Sequence, residues 1–513
     1  MKRLGIDFGS SYIKCADAKR ETLLTLDKKA GGESVNKIPN IITYNNDNTI
    51  RLGKITYKMK STKDQYPLLS IDNIKSCLSD YGWHKAVGEI RTVNAVDVTE
   101  DIMKCLYDMI HNQNKNENEY CTTITTPVYF SERQREIIRH AAEKAGFKVE
   151  SMITEPFSSL FYLMRENLDD DHNVLVFDIG GGTLDICLVS IKNKSGSCVI
   201  KTESTAGMNF GGISINNYII DKILLPKYRE ILSDLIANDE KKYESEWNRA
   251  KLFYEIDSIK DELFTEDYDE NDIEEEHEII FSSWVFSLSV SEIYKTLDEI
   301  QIKERIMALL DNVIDESTIT CDELTDVFLT GGTSLIPYFK NTVIEYLNEN
   351  GVDDAEPLFE LYNELDVEEQ AVGSVALGAG IYNVLMSESN ENVVIKDRIP
   401  LSIFSRDTDG NAVTKLTADC VYKSYRSLVC GLNKEQFESN KINIYQKMSG
   451  ENEDIVYIGY IPINEEIKNS CTLYRLGIDT ERKIFAEFGE VEGNKNDAVF
   501  VPHGDKQYLK IEF

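Results

Sequence analysis

Two aspartates, Asp7 and Asp178, each close an apolar run and open a glycine turn followed by hydroxyl residues. The first reads Leu4-Gly5-Ile6-Asp7-Phe8-Gly9-Ser10-Ser11. The second reads Val174-Leu175-Val176-Phe177-Asp178-Ile179-Gly180-Gly181-Gly182-Thr183-Leu184-Asp185. Glycine is needed where backbone N–H groups approach an anion closely or where φ turns positive. A carboxylate at the mouth of such a turn can hold the water shell of a hard divalent ion. One turn of this kind says little, because an aspartate at a strand end is often only a turn former. Two of them, opening two similar halves, imply a duplicated domain that clamps a metal–nucleotide between its halves.

The elements that would position these turns are legible in outline. Residues 1–20 and 173–190 read as strand–turn–strand units, and residues 38–53 as further strands. The spacing predicts a helix over 97–112. Cys121 to Thr126 reads as a strand ended by Pro127, with a helix from Ser131, its N-cap, to Gly146, its C-cap. Another helix follows Glu155-Pro156, and residues 215–264 are mostly helical. Thr265 to Glu278 carries nine acidic residues and is expected to be a solvated loop. Phe286 to Ser291 alternates like a strand. Val327-Phe328-Leu329-Thr330-Gly331-Gly332-Thr333-Ser334 is a third strand ending in a glycine turn. A helix near 371–386 leads to a polar stretch, the short apolar segment Val393-Val394-Ile395, and then Asp397. Runs such as Ile442-Asn443-Ile444-Tyr445 suggest a β domain from about 397 to 513.

Composition narrows the class. The chain has 513 residues, 42% hydrophobic and 28% charged, as soluble globular proteins do. Its formal charge is -34, which argues against nucleic acid as a partner. Ten cysteines are scattered without a C-x-x-C pair, as expected of reduced core cysteines. The N-terminus runs directly into the first strand, with no room for a signal peptide. No apolar run approaches membrane-span length, so no membrane role and a cytoplasmic location are expected.

The three glycine turns, in this order, resemble those of the sugar kinase, actin and heat-shock ATPase superfamily. Finer matches point to the seventy-kilodalton heat-shock chaperones (DnaK type). Thr126-Pro127-Val128-Tyr129-Phe130-Ser131 with Gln134-Arg135 is similar to their Pro-Ala-Tyr-Phe segment. Thr154-Glu155-Pro156-Phe157-Ser158-Ser159 is similar to Asn-Glu-Pro-Thr-Ala-Ala. Ser204-Thr205-Ala206-Gly207 with Gly211-Gly212 is similar to Ala-Gly-Asp…Gly-Gly, and Asp397-Arg398-Ile399-Pro400-Leu401-Ser402-Ile403 to Asp-Val-Thr-Pro-Leu-Ser-Leu. The resemblance implies an α/β actin-like ATPase domain of two lobes over 1–386, an interdomain linker at 387–396, and a β-sandwich substrate-binding domain over 397–513. It shows no counterpart of the family's helical lid, so weak and quickly exchanging binding of extended apolar peptides from unfolded proteins is expected.

The resemblance also implies roles, position by position. Asp7 and Asp178 hold Mg2+ through its waters. Gly9, Ser10, Ser11, Tyr12, Gly180, Gly181 and Gly182 contact the phosphates of ATP or ADP, with Gly211 and Gly212 nearby. Lys75 faces the γ-phosphate and positions the attacking water, and Glu155, Thr183 and Asp185 complete a slow hydrolytic site. Asp257 and Lys260 lie on the helix beside the adenosine, with Arg249-Ala250-Lys251 as a competing register, and Gly331, Gly332 and Thr333 form the adenosine turn. Pro127 and Arg135 relay the nucleotide state, and Val393, Val394, Ile395 and Asp397 form a docking linker. Departures fall at Ile213-Ser214-Ile215-Asn216 after the glycine pair, at Leu335 in place of an adenine-stacking arginine, and at Ser151 in place of an arginine that engages J-domain partners. They leave J-domain co-chaperones and exchange factors open. An actin-like scaffold or filament ATPase, a small-molecule kinase and a nucleotide sensor are the alternatives.

Overall fold

The computed structural model describes residues 1–28, 34–53, 68–115, 117, 119–165, 170–194, 197–238, 242–264, 273–281, 283–360, 373–387, 393–396, 402–407, 409–416, 427, 429–447, 455–479, 483–492 and 499–511. Two central sheets organise the chain up to residue 396. In the first, the order is Lys148–Thr154, Tyr120–Thr126, Lys2–Phe8, Tyr12–Asp17, Thr22–Leu23, with Ile38–Pro39 paired to Tyr12–Asp17. In the second, it is Asp326–Thr330, His172–Ile179, Leu184–Lys194, Ser197–Met208, Val393–Lys396.

Each sheet places its turn aspartate on a strand with one parallel and one antiparallel neighbour. Lys2–Phe8 runs parallel to Tyr120–Thr126 and antiparallel to Tyr12–Asp17. His172–Ile179 runs parallel to Asp326–Thr330 and antiparallel to Leu184–Lys194. The internal repeat read from two turns is thus present in strand order and direction. Tyr120–Thr126 and Asp326–Thr330 are buried along their whole length, as parallel strands covered on both faces are.

The helix Ser374–Ser387 packs on the strand Lys2–Phe8 and the helix Glu155–Leu163. Its approach leaves no room for side chains. A Cβ on Gly378 would sit 1.8 Å from the Ser158 carbonyl oxygen, and one on Gly5 2.1 Å from that of Ala376. Ser131 and Gln134 form a reciprocal cap on the helix Glu132–Ala145, which Gly146 ends at φ 115°.

Two sequence expectations need correction. The strand expected to run to Ser291 ends at Ser289, because Ser289 caps a helix, Val290–Glu299, by exchanging hydrogen bonds with Glu292. The acidic run expected as a loop lies partly outside the described residues. Its last three positions open the strand Glu276–Phe281, which pairs with Trp284–Ser289. Ile279 and Phe281 alternate inward there and bury, which outweighs the charge of Glu276 and Glu278.

Beyond residue 402 the strands Ile403–Arg406, Ala412–Leu416, Lys441–Lys447 and Ile455–Pro462 form one antiparallel sheet. Cys430–Gly431, Leu473–Ile478, Ile484–Glu492 and Val499–Pro502 form a second. Ile403, Ile444, Ile458, Leu476 and Phe488 meet in one shared core. Short helices at Lys434–Ser439 and Glu465–Ser470 interrupt this β region. The apolar segment Val393–Ile395 is an edge strand of the second central sheet, with Ile200 opposite Ile395, while Asp397 lies outside the described residues. Among the described residues no helix is long and apolar enough to cross a membrane. Six of the described cysteines are buried and none is bridged.

Candidate functional site

The two turns face one another across a cavity of about 230 Å³. Asp7, Gly9, Ser10, Ser11 and Tyr12 line one side, and Asp178, Gly180, Gly181, Gly182 and Thr183 the other. The turns approach so closely that glycine is obligatory. A Cβ on Gly181 would sit 2.0 Å from Ser11 Oγ, and one on Gly182 2.4 Å from Ser10 Oγ. Gly211 packs under the second turn, where a Cβ would meet the Gly180 carbonyl oxygen at 2.5 Å. Gly331 turns at φ 81°, and the Thr333 hydroxyl donates to the Gly180 carbonyl at 2.9 Å. Four separate sequence segments therefore converge on one glycine cluster.

Strand register explains the charges at the cavity floor. Asp7 stands opposite Lys14 in its antiparallel pair, and the Lys14 ammonium donates to Asp7 Oδ2 at 2.9 Å. Asp178 stands opposite Asp185 in the equivalent pair, where like charges repel. Glu155, at the start of its helix, accepts from Lys75 Nζ at 2.7 Å. Asp7, Glu155, Asp178 and Asp185 thus share two ammonium groups, Lys14 and Lys75. Burial, then the Glu155 charge, pushes the Asp185 carboxyl up to about 8. Burial, followed by Glu155, Asp185 and Asp7, holds Asp178 well above the usual carboxylate range. Burial also raises Glu155 despite its ion pair with Lys75.

The predicted adenosine residues line the same cavity. Asp257 Oδ2 accepts from the Tyr12 hydroxyl and Oδ1 from Asn216 Nδ2, each at 3.1 Å, and Lys260 lies 3.4 Å away. Burial pushes the Asp257 carboxyl up, but Lys260 and these two donors outweigh it and hold it low. Gly212, Lys260, Gly331, Gly332 and Thr333 line it together with the apolar Phe264, Leu335 and Ile336. Of the competing registers, the Asp257–Lys260 one reaches the cavity. Arg249 instead pairs with Asp221 at 2.8 Å.

Lys75, buried against Glu155, and Asp185, fully buried behind Asp178, are not among the residues lining the cavity, although Glu155, Asp178 and Thr183 are. From the floor, a chain of contacts leads outward. Asp185 Oδ1 accepts from the Val128 N–H at 2.9 Å. Arg135 donates to the carbonyls of Pro127, Val128 and Phe130 at 3.2–3.4 Å. One turn earlier, the Glu132 N–H donates to Gln446 Oε1 of the β region at 2.8 Å.

Sequence reasoning missed Lys14, Lys37, Asn216, Phe264 and Gln446. Lys14 had a signal: it falls opposite Asp7 once the first hairpin is counted out. Lys37, 4.6 Å over the Tyr12 ring, and Gln446 come from distant segments and had none.

The donor set suits Mg2+. Two carboxylates, Asp7 and Asp178, border the cavity without a third ligand of the histidine or cysteine kind, which fits a hard ion that keeps several waters. Burial and mutual repulsion raise Glu155, Asp178 and Asp185, so the empty cavity favours their protonated forms, and a divalent cation would take the place of those protons.

The family model described as Hsp70 protein matches residues 39–459. The Chaperone protein DnaK of Mycoplasma mobile is 23% identical over 463 residues, covering 88% of this chain and 70% of that protein. The Chaperone protein DnaK of Thermoplasma volcanium is 24% identical over 332 residues, covering 63% of this chain and 49% of that protein.

Proposed function

The chain belongs to the Hsp70 protein family, and on that footing we propose that it is an ATP-dependent chaperone, a slow ATPase whose nucleotide state sets how its β region holds extended apolar peptides. The observation that carries this reading is the cavity between two matching glycine turns, lined by the carboxyls of Asp7, Glu155 and Asp178 and also by Asp257, Lys260 and the apolar Phe264 and Leu335. Such a lining offers groups for both the metal–phosphate and the nucleoside part of a nucleotide. The actin-like two-lobed ATPase and the β-sandwich of the family are the architecture that the paired central sheets and the two-sheet β region support.

In this reading Ser10, Ser11 and the 180–183 turn would hold the phosphates, and Asp7 and Asp178 would hold Mg2+. Mg2+ supplies charge neutralisation on the phosphates. Asp185, whose carboxyl is pushed up to about 8 and so holds a proton at neutral pH in the empty cavity, would release it when the metal–nucleotide binds and could then accept one from the attacking water, with Glu155, and Lys75 once freed from it, orienting that water. Positioning and charge, rather than covalent chemistry, carry such a hydrolysis. The chain Asp185–Val128–Pro127–Arg135 and the Glu132–Gln446 contact support a relay to the β region, and the strand Val393–Ile395 supports a docked linker. A cytoplasmic location and J-domain or exchange-factor partners belong to the same reading.

Calorimetric titration of ATP and ADP tests the nucleotide claim. Binding that weakens at least tenfold without Mg2+ or in Asp178→Asn is expected. Binding indifferent to both would overturn the assignment of the cavity.

A further inference from the structure

The segment that carries Lys75 also touches the β region. Lys75 lies in the short helix Ile74–Cys77. The Leu78 carbonyl that follows accepts from Arg133 Nη1 at 3.0 Å. The Arg133 guanidinium stacks on the Tyr81 ring at 3.8 Å. The Tyr81 hydroxyl then donates to the carbonyl of Tyr457, in the strand Ile455–Pro462. The paired strand Lys441–Lys447 carries Gln446, which meets the Glu132 N–H. One β hairpin is therefore gripped at two points. The second point leads to Lys75 without passing through Pro127 or Arg135.

We propose that Tyr81 is a positioning residue: clamped between Arg133 and the Tyr457 carbonyl, it holds the 74–83 segment so that Lys75 stays on Glu155, outside the nucleotide cavity, for as long as the hairpin is docked. Release of the hairpin frees Tyr81, and Lys75 can then leave Glu155 for the cavity. Docking thereby restrains hydrolysis by withholding one ammonium group. Ile74 and Leu78 anchor the segment in the core, and single bonds close its turns, Ser76 N to Asn73 O at 3.2 Å, Leu78 N to Lys75 O at 3.4 Å and Asp80 N to Cys77 O at 3.1 Å, so the clamp adds a restraint at its outer end. This inference rests on the ATPase reading above.

The test is hydrogen exchange and steady-state ATP hydrolysis by the full chain, with Tyr81→Ala and Tyr81→Phe beside the unmodified protein. Tyr81 is 56% exposed, so its removal leaves the core packing untouched. Tyr81→Ala is expected to speed exchange of the Ser76, Leu78 and Asp80 amides about tenfold. It is also expected to raise peptide-free hydrolysis about threefold and shrink peptide stimulation in proportion. Tyr81→Phe, which keeps the stack and loses the hydroxyl, falls between. Unchanged exchange overturns the clamp, and faster exchange with unchanged hydrolysis overturns the positioning role. If the unmodified chain hydrolyses no ATP, the ATPase reading fails instead, and the exchange arm decides the clamp alone.

Discussion

Raising the pH from 6 to 8 should destabilise the metal-free, nucleotide-free chain, and Asp185 is the reason. Its carboxyl titrates near 8 in the folded protein against 3.8 for the ordinary side chain. Between those values the folded chain holds a proton that the unfolded chain has released. Unfolding free energy therefore falls as pH rises through this window and levels off above it. One proton corresponds to about 1.4 kcal/mol per pH unit, so the change from pH 6 to 8 is on the order of 2 kcal/mol. Asp178 and Glu155 shift in the same direction. Thermal melts in chelator at the two pH values read this directly, as a drop of a few degrees. Asp185→Asn removes the titrating group and should flatten the profile. Mg2+ with ADP should displace the proton, so binding near pH 7 should release about one proton, countable by calorimetry in buffers of different ionisation enthalpy. A metal-free chain that grows more stable from pH 6 to 8, or an Asp185→Asn profile as steep as the original, would refute the reasoning.

Other substitutions test the packing and the links between segments. Gly378→Ala drives a methyl onto the Ser158 carbonyl and should destabilise by about 3 kcal/mol in chemical denaturation. Tyr12→Phe deletes a bond between the first hairpin and Asp257 and should weaken ADP about tenfold, roughly the 1.5 kcal/mol of a hydrogen bond to a charged group; a fluorescent nucleotide reads the change. Ile395→Asp puts a charge at a buried edge-strand position and should abolish exchange protection over 393–396 while leaving nucleotide binding intact.

What the sequence made legible was local. The Asp7 and Asp178 turns, the Ser131 and Gly146 caps and the strands beside them each follow from a few adjacent residues, and the structure keeps them. The positions that escaped are set by register or by distant segments. Asp178 faces Asp185 only because the antiparallel pair closes at Ile179 opposite Leu184, and the floor's electrostatics depend on that pairing. Ser289 reads as strand by alternation, but its hydroxyl and Glu292 cap a helix. The bonds from Tyr81 to Tyr457 and from Glu132 to Gln446 join residues far apart in sequence, and no spacing rule reaches across such separations. The family resemblance places Lys75 at the phosphates, yet its partner here is Glu155, a pairing between two segments that a motif does not encode.

Steady-state ATP hydrolysis by the full chain, with and without an unfolded apolar peptide and beside Lys75→Ala, tests the central claim most directly. Slow hydrolysis that peptide accelerates, and that Lys75→Ala abolishes, is the predicted result. Hydrolysis indifferent to peptide would contradict the claim that the nucleotide cavity and the β region work as one device.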